Sequence, residues 1–368
     1  MLLDCTRDQP SPCRTTARQG ADVLIGIFRK KRKGKMMTPK KIMDLANAFY
    51  GSATLFAASD AGVFQVLSGD KKLFVDEIAK QCELDEHACR LLLDGCVAIG
   101  LLEKLENQYQ NSEDAEMFLN SESPMSLVKS IRYNRDVYDA WGKLPMFLKT
   151  GEPVEKPSLH LGDNKDRTRA FALSMFERAY SMGQAVIPML DLSGCNSLLD
   201  VGGGPAAYSM LCVSKWKNLR SSVIELPAIA SIADELIAEK GLQDRIKTIP
   251  GSYVDTPFPE NQDAVHFFGV LHQESSETIL SLFRKAFASL SSGGQINIMD
   301  MMTDETRTAP EFSALFAINM ALTKEAGWVF SDSDLIGWLE EAGFVDCKVQ
   351  PLPKPMPHWL ATGKKVNS

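Results

Sequence analysis

The run Leu198-Leu199-Asp200-Val201 passes directly into Gly202-Gly203-Gly204, and no other junction in the chain constrains the fold as strongly. Three aliphatic residues around one acid read as a short buried strand. The glycines permit positive φ and close approach of a ligand to the backbone, and a helix beginning near Ala206 would present free N–H groups to the same space. On this reading Pro205 stands in the first helical turn, where its missing N–H would have had no partner. A tight strand-to-helix turn can also be purely structural, so the loop alone does not establish a ligand.

The alternation around it says more. Strands are expected at 197–201, 220–225, 246–250 and 263–271, helices at 206–216, 228–240 and 276–290, and "GGQINIMDMM" reads as turn plus strand. Such alternation is the pattern of a parallel sheet with helices on both faces. Glu225 ends the second strand 23 residues after Gly202, where a carboxylate can accept hydrogen bonds from both ribose hydroxyls, and together the two features indicate an adenosine ligand. The helix in "SDSDLIGWLEEAGF" is followed by "VDCKVQ", a Pro-rich loop and "HWLATGKK". That order predicts a terminal antiparallel hairpin, which a nucleotide-linked dehydrogenase would lack.

Upstream, residues 1–36 carry no hydrophobic period and hold the basic block "RKKRKGK", so they read as a flexible leader. Residues 37–120 read as a helical, winged-helix-like domain with two short strands around Glu106 and Asn107. Glu83, Asp85 and Glu86 at the start of its second helix would repel phosphate, and the net charge of -7 argues the same way against a nucleic-acid partner. Packing and dimerisation is the preferred role of this domain, with DNA binding as the competing one. Residues 121–190 form a helical linker whose last long helix leads into the domain at 191–368. No window is apolar enough for a membrane span. The eight cysteines include no C-x-x-C pair, which suits small buried hydrophobes in a reduced, cytoplasmic protein better than a metal site. No metal is expected.

"LLDVGGG", "VIELP" at 223–227, "GSY" at 251–253, "GVLH" at 269–272, "LSSGGQINIMD" at 290–300 and "LEEAGF" at 339–344 stand in that order. The set resembles the S-adenosylmethionine-dependent O-methyltransferases of the caffeate and hydroxyindole type, bacterial members included, over about residues 40–365. The resemblance implies a Rossmann-like α/β methyltransferase domain, its mostly parallel sheet closed by the antiparallel hairpin, plus an N-terminal dimerisation domain. It also implies S-adenosylmethionine as cofactor, a small or medium aromatic acceptor and a homodimer. On the cofactor side it implies Asp200, Gly202, Gly203, Gly204, Glu225, Leu226, Ser252, Tyr253 and Phe268. In the acceptor pocket it implies Phe171, Met175 and Met320.

His272 matches the family's general base, a role that suits imidazole because it exchanges protons near neutral pH. Asp300 matches an acidic position near that base. Departures are numerous: Gln273 replaces an acid, Glu274 an adenine-stacking tryptophan, Ser252 an aspartate, Ala206 a glycine and Val329 a second acid near the base. The thinned acid set keeps two alternatives open, methylation of a ring carbon on a tetrapyrrole-like acceptor and a non-catalytic binder of the cofactor.

Overall fold

The structure is a computed structural model that describes residues 37–123, 125–155, 162, 164–354 and 356–366; the expected leader at 1–36 lies outside the described residues. Helix α1 (Pro39–Asn47) starts at Thr38, whose hydroxyl accepts the Lys41 N–H, and α2 (Phe49–Asp60) follows almost at once. Helix α3 (Val75–Gln81) and helix α4 (Glu86–Ala98) come next, the latter capped by Asp85 accepting from Ala88 N–H.

Strands β1 (Leu102–Leu105) and β2 (Gln108–Asn111) pair antiparallel. Their two-residue loop, Glu106 and Asn107, has φ of 50° and 69°, the backbone twist that tight hairpins favour. The pair stands where the sequence predicts two short strands. Phe64, Leu67, Ile78, Leu93, Cys96 and Tyr109 form the core beneath it. Cys89 and Cys96 are buried free thiols that burial pushes up to about 11. Both serve packing.

Helix α5 (Val128–Asp136) and the 22-residue α6 (Lys165–Val186) connect this domain to the next. Then come β3 (Ser197–Val201), α7 (Ala207–Lys215), β4 (Arg220–Glu225), α8 (Pro227–Glu239), β5 (Ile246–Pro250) and β6 (Gln262–Phe268). Helix α9 (Ser276–Ser289), β7 (Leu290–Asp300), α10 (Glu311–Thr323), α11 (Asp332–Glu341), β8 (Val345–Pro351) and β9 (Trp359–Lys364) complete the chain. The seven strands order as β5-β4-β3-β6-β7-β9-β8. Strands β3 to β7 are parallel, and β9 enters antiparallel between β7 and β8. Leu199, Val265, Phe267, Ile296 and Ile298 form the sheet's contribution to a core closed by Phe283, Phe330, Leu335 and Phe344. Helix α6 packs against α5, α7 and α8, with Gly183 pressed so closely on Leu211 that a side chain there has no room.

Two expectations need correction. Strand β6 stops at Phe268 rather than 271: Gly269 takes φ 72°, and a 3-10 turn follows at Leu271–Gln273. Helix α7 begins at Ala207, so Pro205 precedes the cap instead of occupying the first turn. Pro205 is the third residue of a turn closed by Ala206 N–H on the Gly203 carbonyl, a position where an absent N–H also removes nothing. Among the described residues no helix is long and apolar enough to cross a membrane.

Candidate active site

Strand β3 delivers the glycine loop to the C-terminal edge of the sheet. A side-chain carbon on Gly202 would lie 2.7 Å from Val270 Cγ2, and one on Gly203 would lie 2.6 Å from Asp200 Cγ. Gly204, at φ 55°, faces open space and donates its N–H to Glu225 Oε2 at 2.9 Å. Ala206 holds φ 65° as the residue before α7, a left-handed conformation that costs an alanine about 1–2 kcal/mol. The glycine missing from this position is therefore missed by the backbone.

Asp200 is fully buried beneath the loop. Its Oδ2 accepts from Ser209 at 2.6 Å, its Oδ1 has no partner among the described residues, and burial pushes the carboxyl up to about 6. Glu225 accepts from Leu226 N–H at 2.7 Å as well as from Gly204. Burial raises its carboxyl, and those two N–H groups act in the opposite sense. Helix α8 starts directly after, with Pro227 in its first turn.

Tyr253 sits over the loop and donates its hydroxyl to Glu274 at 2.5 Å while accepting from Gln273 at 3.0 Å. The two residues that depart from the resembled pattern after His272 are thus both tied to the Tyr253 hydroxyl. Ser252 accepts the Val254 N–H and shapes the turn. Phe268 is buried, stacked on His266 at 4.5 Å and edge-on to Tyr208 at 5.0 Å, so here its ring packs the core. Lys324, which the sequence reading did not single out, lies within electrostatic reach of Glu274 and Glu225, and burial lowers its ammonium pKa. No motif announces it, because it follows the last turn of α10, far along the chain from either acid.

His272 stands on the 3-10 turn after β6 with Nδ1 2.7 Å from Asp300 Oδ1 at the end of β7. Asp300 is wholly buried and also accepts the N–H groups of Leu271, His272 and Met301. Parallel pairing of β6 with β7 brings their ends together. The ring of Phe316 on α10 meets the imidazole edge-on at 5.3 Å, and the buried Met320 lies one turn further along the same helix. Phe171 and Met175, both partly buried, are one turn apart on one face of α6. Asn319 accepts from Trp141 Nε1 and donates to the Tyr133 hydroxyl, each at 2.9 Å. These three polar partners escaped the sequence reading because they are 178 and 186 residues apart in pairs. Among the described residues no group of histidine, cysteine and acidic side chains is arranged to hold a metal ion.

Comparison with known proteins supplies the context for this geometry. The family model for the O-methyltransferase domain matches residues 157–345, and that for the O-methyltransferase dimerisation domain matches 43–121. The chain is 26% identical over 333 residues to a 3-hydroxy-5-methyl-1-naphthoate 3-O-methyltransferase of Streptomyces sahachiroi, covering 89% of this chain and 96% of the relative. It is 27% identical over 328 residues to an L-tyrosine C(3)-methyltransferase of Streptomyces lavendulae, covering 83% and 87%. The structure of human N-acetylserotonin methyltransferase in complex with S-adenosylmethionine superposes with a TM-score of 0.80 at 24% identity, over 91% of this chain and all of the other. With its catalytic-domain model spanning more than half of the 368 residues and the dimerisation model preceding it, the chain belongs to the O-methyltransferase family.

Proposed function

We propose that the protein transfers the methyl group of S-adenosylmethionine to a hydroxyl oxygen of a small or medium aromatic acceptor, with His272 as general base. The 2.7 Å contact between His272 Nδ1 and Asp300 Oδ1 carries this reading. The three backbone N–H groups on Asp300 lock its carboxylate in place, so it holds the imidazole proton on Nδ1 and leaves the Nε2 lone pair for the acceptor. As the acceptor hydroxyl attacks, its proton passes to Nε2, and the buried carboxylate stabilises the imidazolium that results.

S-adenosylmethionine, when bound, supplies the electrophilic methyl carbon. The residues present fit it: a buried carboxylate oxygen of Asp200 without a partner among the described residues, a desolvated Glu225 at a strand end, and glycines where side chains have no room. Gly202, Gly203, Gly204 and Asp200 would hold its methionine end, Glu225 and Leu226 its ribose, and Tyr253 and Ser252 lie alongside. Glu225→Ala should weaken binding of S-adenosylhomocysteine by about 1–3 kcal/mol, the range for hydrogen bonds to a charged group. Equal calorimetric affinity in wild type and variant would remove Glu225 from the site.

The relatives named for a naphthoate and for tyrosine support an aromatic acceptor. The second of them keeps ring-carbon methylation as the other reading, since its name is that of a carbon methyltransferase. Gln273 and Val329, in place of acids, first leaned the same way. Asp300 on the imidazole weakens that argument, because one well-placed carboxylate is enough to orient and charge-balance the base.

The assembly we infer is a homodimer in the cytoplasm, without nucleic acid. Ile42, Met43, Leu45, Phe49 and Tyr50 on α1 and α2 are each more than half exposed, and so many exposed apolar side chains on neighbouring helices support an interface there. Light scattering at micromolar concentration should give twice the chain mass, and Leu45→Asp with Phe49→Asp should give the chain mass. A monomeric wild type contradicts the assignment.

A further inference from the structure

Arg178 follows Met175 by three residues and Phe171 by seven on α6, which places all three on one helical face. It is partly buried, and among the described residues its guanidinium has neither a hydrogen bond nor an ion pair. Arg135, Arg169, Arg284 and Arg307, all at the surface, each have an acid partner. Removing a guanidinium from water without a counter-charge is costly. A partly buried arginine left unpaired among the described residues is therefore matched to a group that arrives with a ligand.

Its neighbours are buried polar groups from three other parts of the fold. Tyr133 of α5, Tyr208 of α7 and His358 of the β8–β9 loop all feel the Arg178 charge. Burial dominates each of them, raising the two hydroxyls and lowering the His358 imidazole to about 4. Glu155 also acts on Tyr133, raising its hydroxyl. His358 is 7% exposed, and its Nδ1 has no partner among the described residues. The following residue, Trp359, pairs with Asp300 across β7 and β9, so His358 borders the acid that holds His272.

We propose that Arg178, with His358 beside it, forms a subsite for a carboxylate carried by the acceptor, so that the enzyme selects aromatic acids over their neutral counterparts. This rests on the methyltransferase reading given above. The planar guanidinium presents two parallel N–H groups that match a carboxylate, and the neutral imidazole adds a donor without adding repulsion.

The test is calorimetric titration of the protein saturated with S-adenosylhomocysteine, using benzoate, 1-naphthoate and 2-naphthoate against the matching carboxamides. At least one acid should bind about tenfold or more tightly than its amide, the effect of a charged hydrogen bond. Arg178→Gln should abolish that preference, Arg178→Lys should keep part of it, and affinity for S-adenosylhomocysteine should be the same in all three proteins. No acid preference in wild type, or one that survives in Arg178→Gln, overturns the proposal. Weakened S-adenosylhomocysteine binding in Arg178→Gln would assign the guanidinium to the cofactor's own carboxylate and overturn it as well. Should Arg178→Gln fail to fold, the acid-to-amide ratio in wild type and in Arg178→Lys decides. Wild type that binds no S-adenosylhomocysteine defeats the underlying methyltransferase reading, a separate result.

Discussion

Turnover of His272→Ala should fall by about 10²- to 10⁴-fold, the contribution of a positioned general base, with affinity for S-adenosylhomocysteine unchanged. Asp300→Asn should also lose turnover. Its amide keeps the shape of the side chain but cannot both accept the surrounding N–H groups and balance an imidazolium. The two effects should not add, because the residues act as one unit through their 2.7 Å contact. Single-turnover rates with the position of the new methyl group identified are the appropriate measurement. A hydroxyl-methylated product formed at the wild-type rate by His272→Ala would sink the base assignment. A ring-methylated product at a largely retained rate would select the carbon reading instead, where methyl transfer precedes loss of the proton.

Acid should destabilise the protein through His266. This side chain is wholly buried in β6, neither ring nitrogen has a partner among the described residues, and burial lowers its imidazole to about 3. An unfolded histidine takes up its proton near pH 6.5. Between those values the unfolded state binds the extra proton, so the contribution is complete above pH 6.5 and is lost as pH falls toward 3, by up to roughly 5 kcal/mol. Asp200 works in the other direction: burial raises its carboxyl to about 6, so its ionisation destabilises the fold as pH climbs from about 4 to 6. Comparing His266→Leu with wild type isolates the histidine. The stability difference between them, from urea titrations at pH 4 to 7, should shift in favour of the variant as pH drops. A pH-independent difference would contradict the burial argument.

Strands β3, β4 and β5 were legible from sequence to the residue; in the interior strands β3 and β4 a short apolar pair, Leu198–Leu199 and Val223–Ile224, marks the buried part. The terminal hairpin was legible for a related reason, two short runs around prolines. Where the reading failed, backbone conformation at a single residue decided. Gly269 ends β6 three residues early and lifts His272 onto a turn, and Ala206 takes a left-handed conformation that pushes α7 past Pro205. In the candidate site, the glycines and Glu225 belong to one strand-loop-helix-strand unit and so announce themselves in local sequence. Arg178, Lys324, Asn319 and the tie between Tyr253 and Glu274 do not, since each owes its place to helices or loops that meet only in the folded chain. The sequence reading set Gln273, in place of an acid, beside Asp300 as an acid near His272, and the contact that forms is with Asp300 on the neighbouring strand.

The position of β9 also sets an order of events. Residues 359–364 lie among the last of the described chain, yet β9 is an interior strand that separates β7 from β8. Strands β3 to β7 can assemble as they emerge during synthesis, each adding to a sheet whose helices are already made. Strand β8 cannot take its final place at that stage, because the strand it must pair with does not yet exist. Until β9 arrives, the flank of β7 that ends in Asp300 is an open edge, the kind of template that invites pairing with another chain. The most exposed moment for this sheet therefore comes after β3 to β8 have been made, while Asp300 still lacks a neighbouring strand on one side.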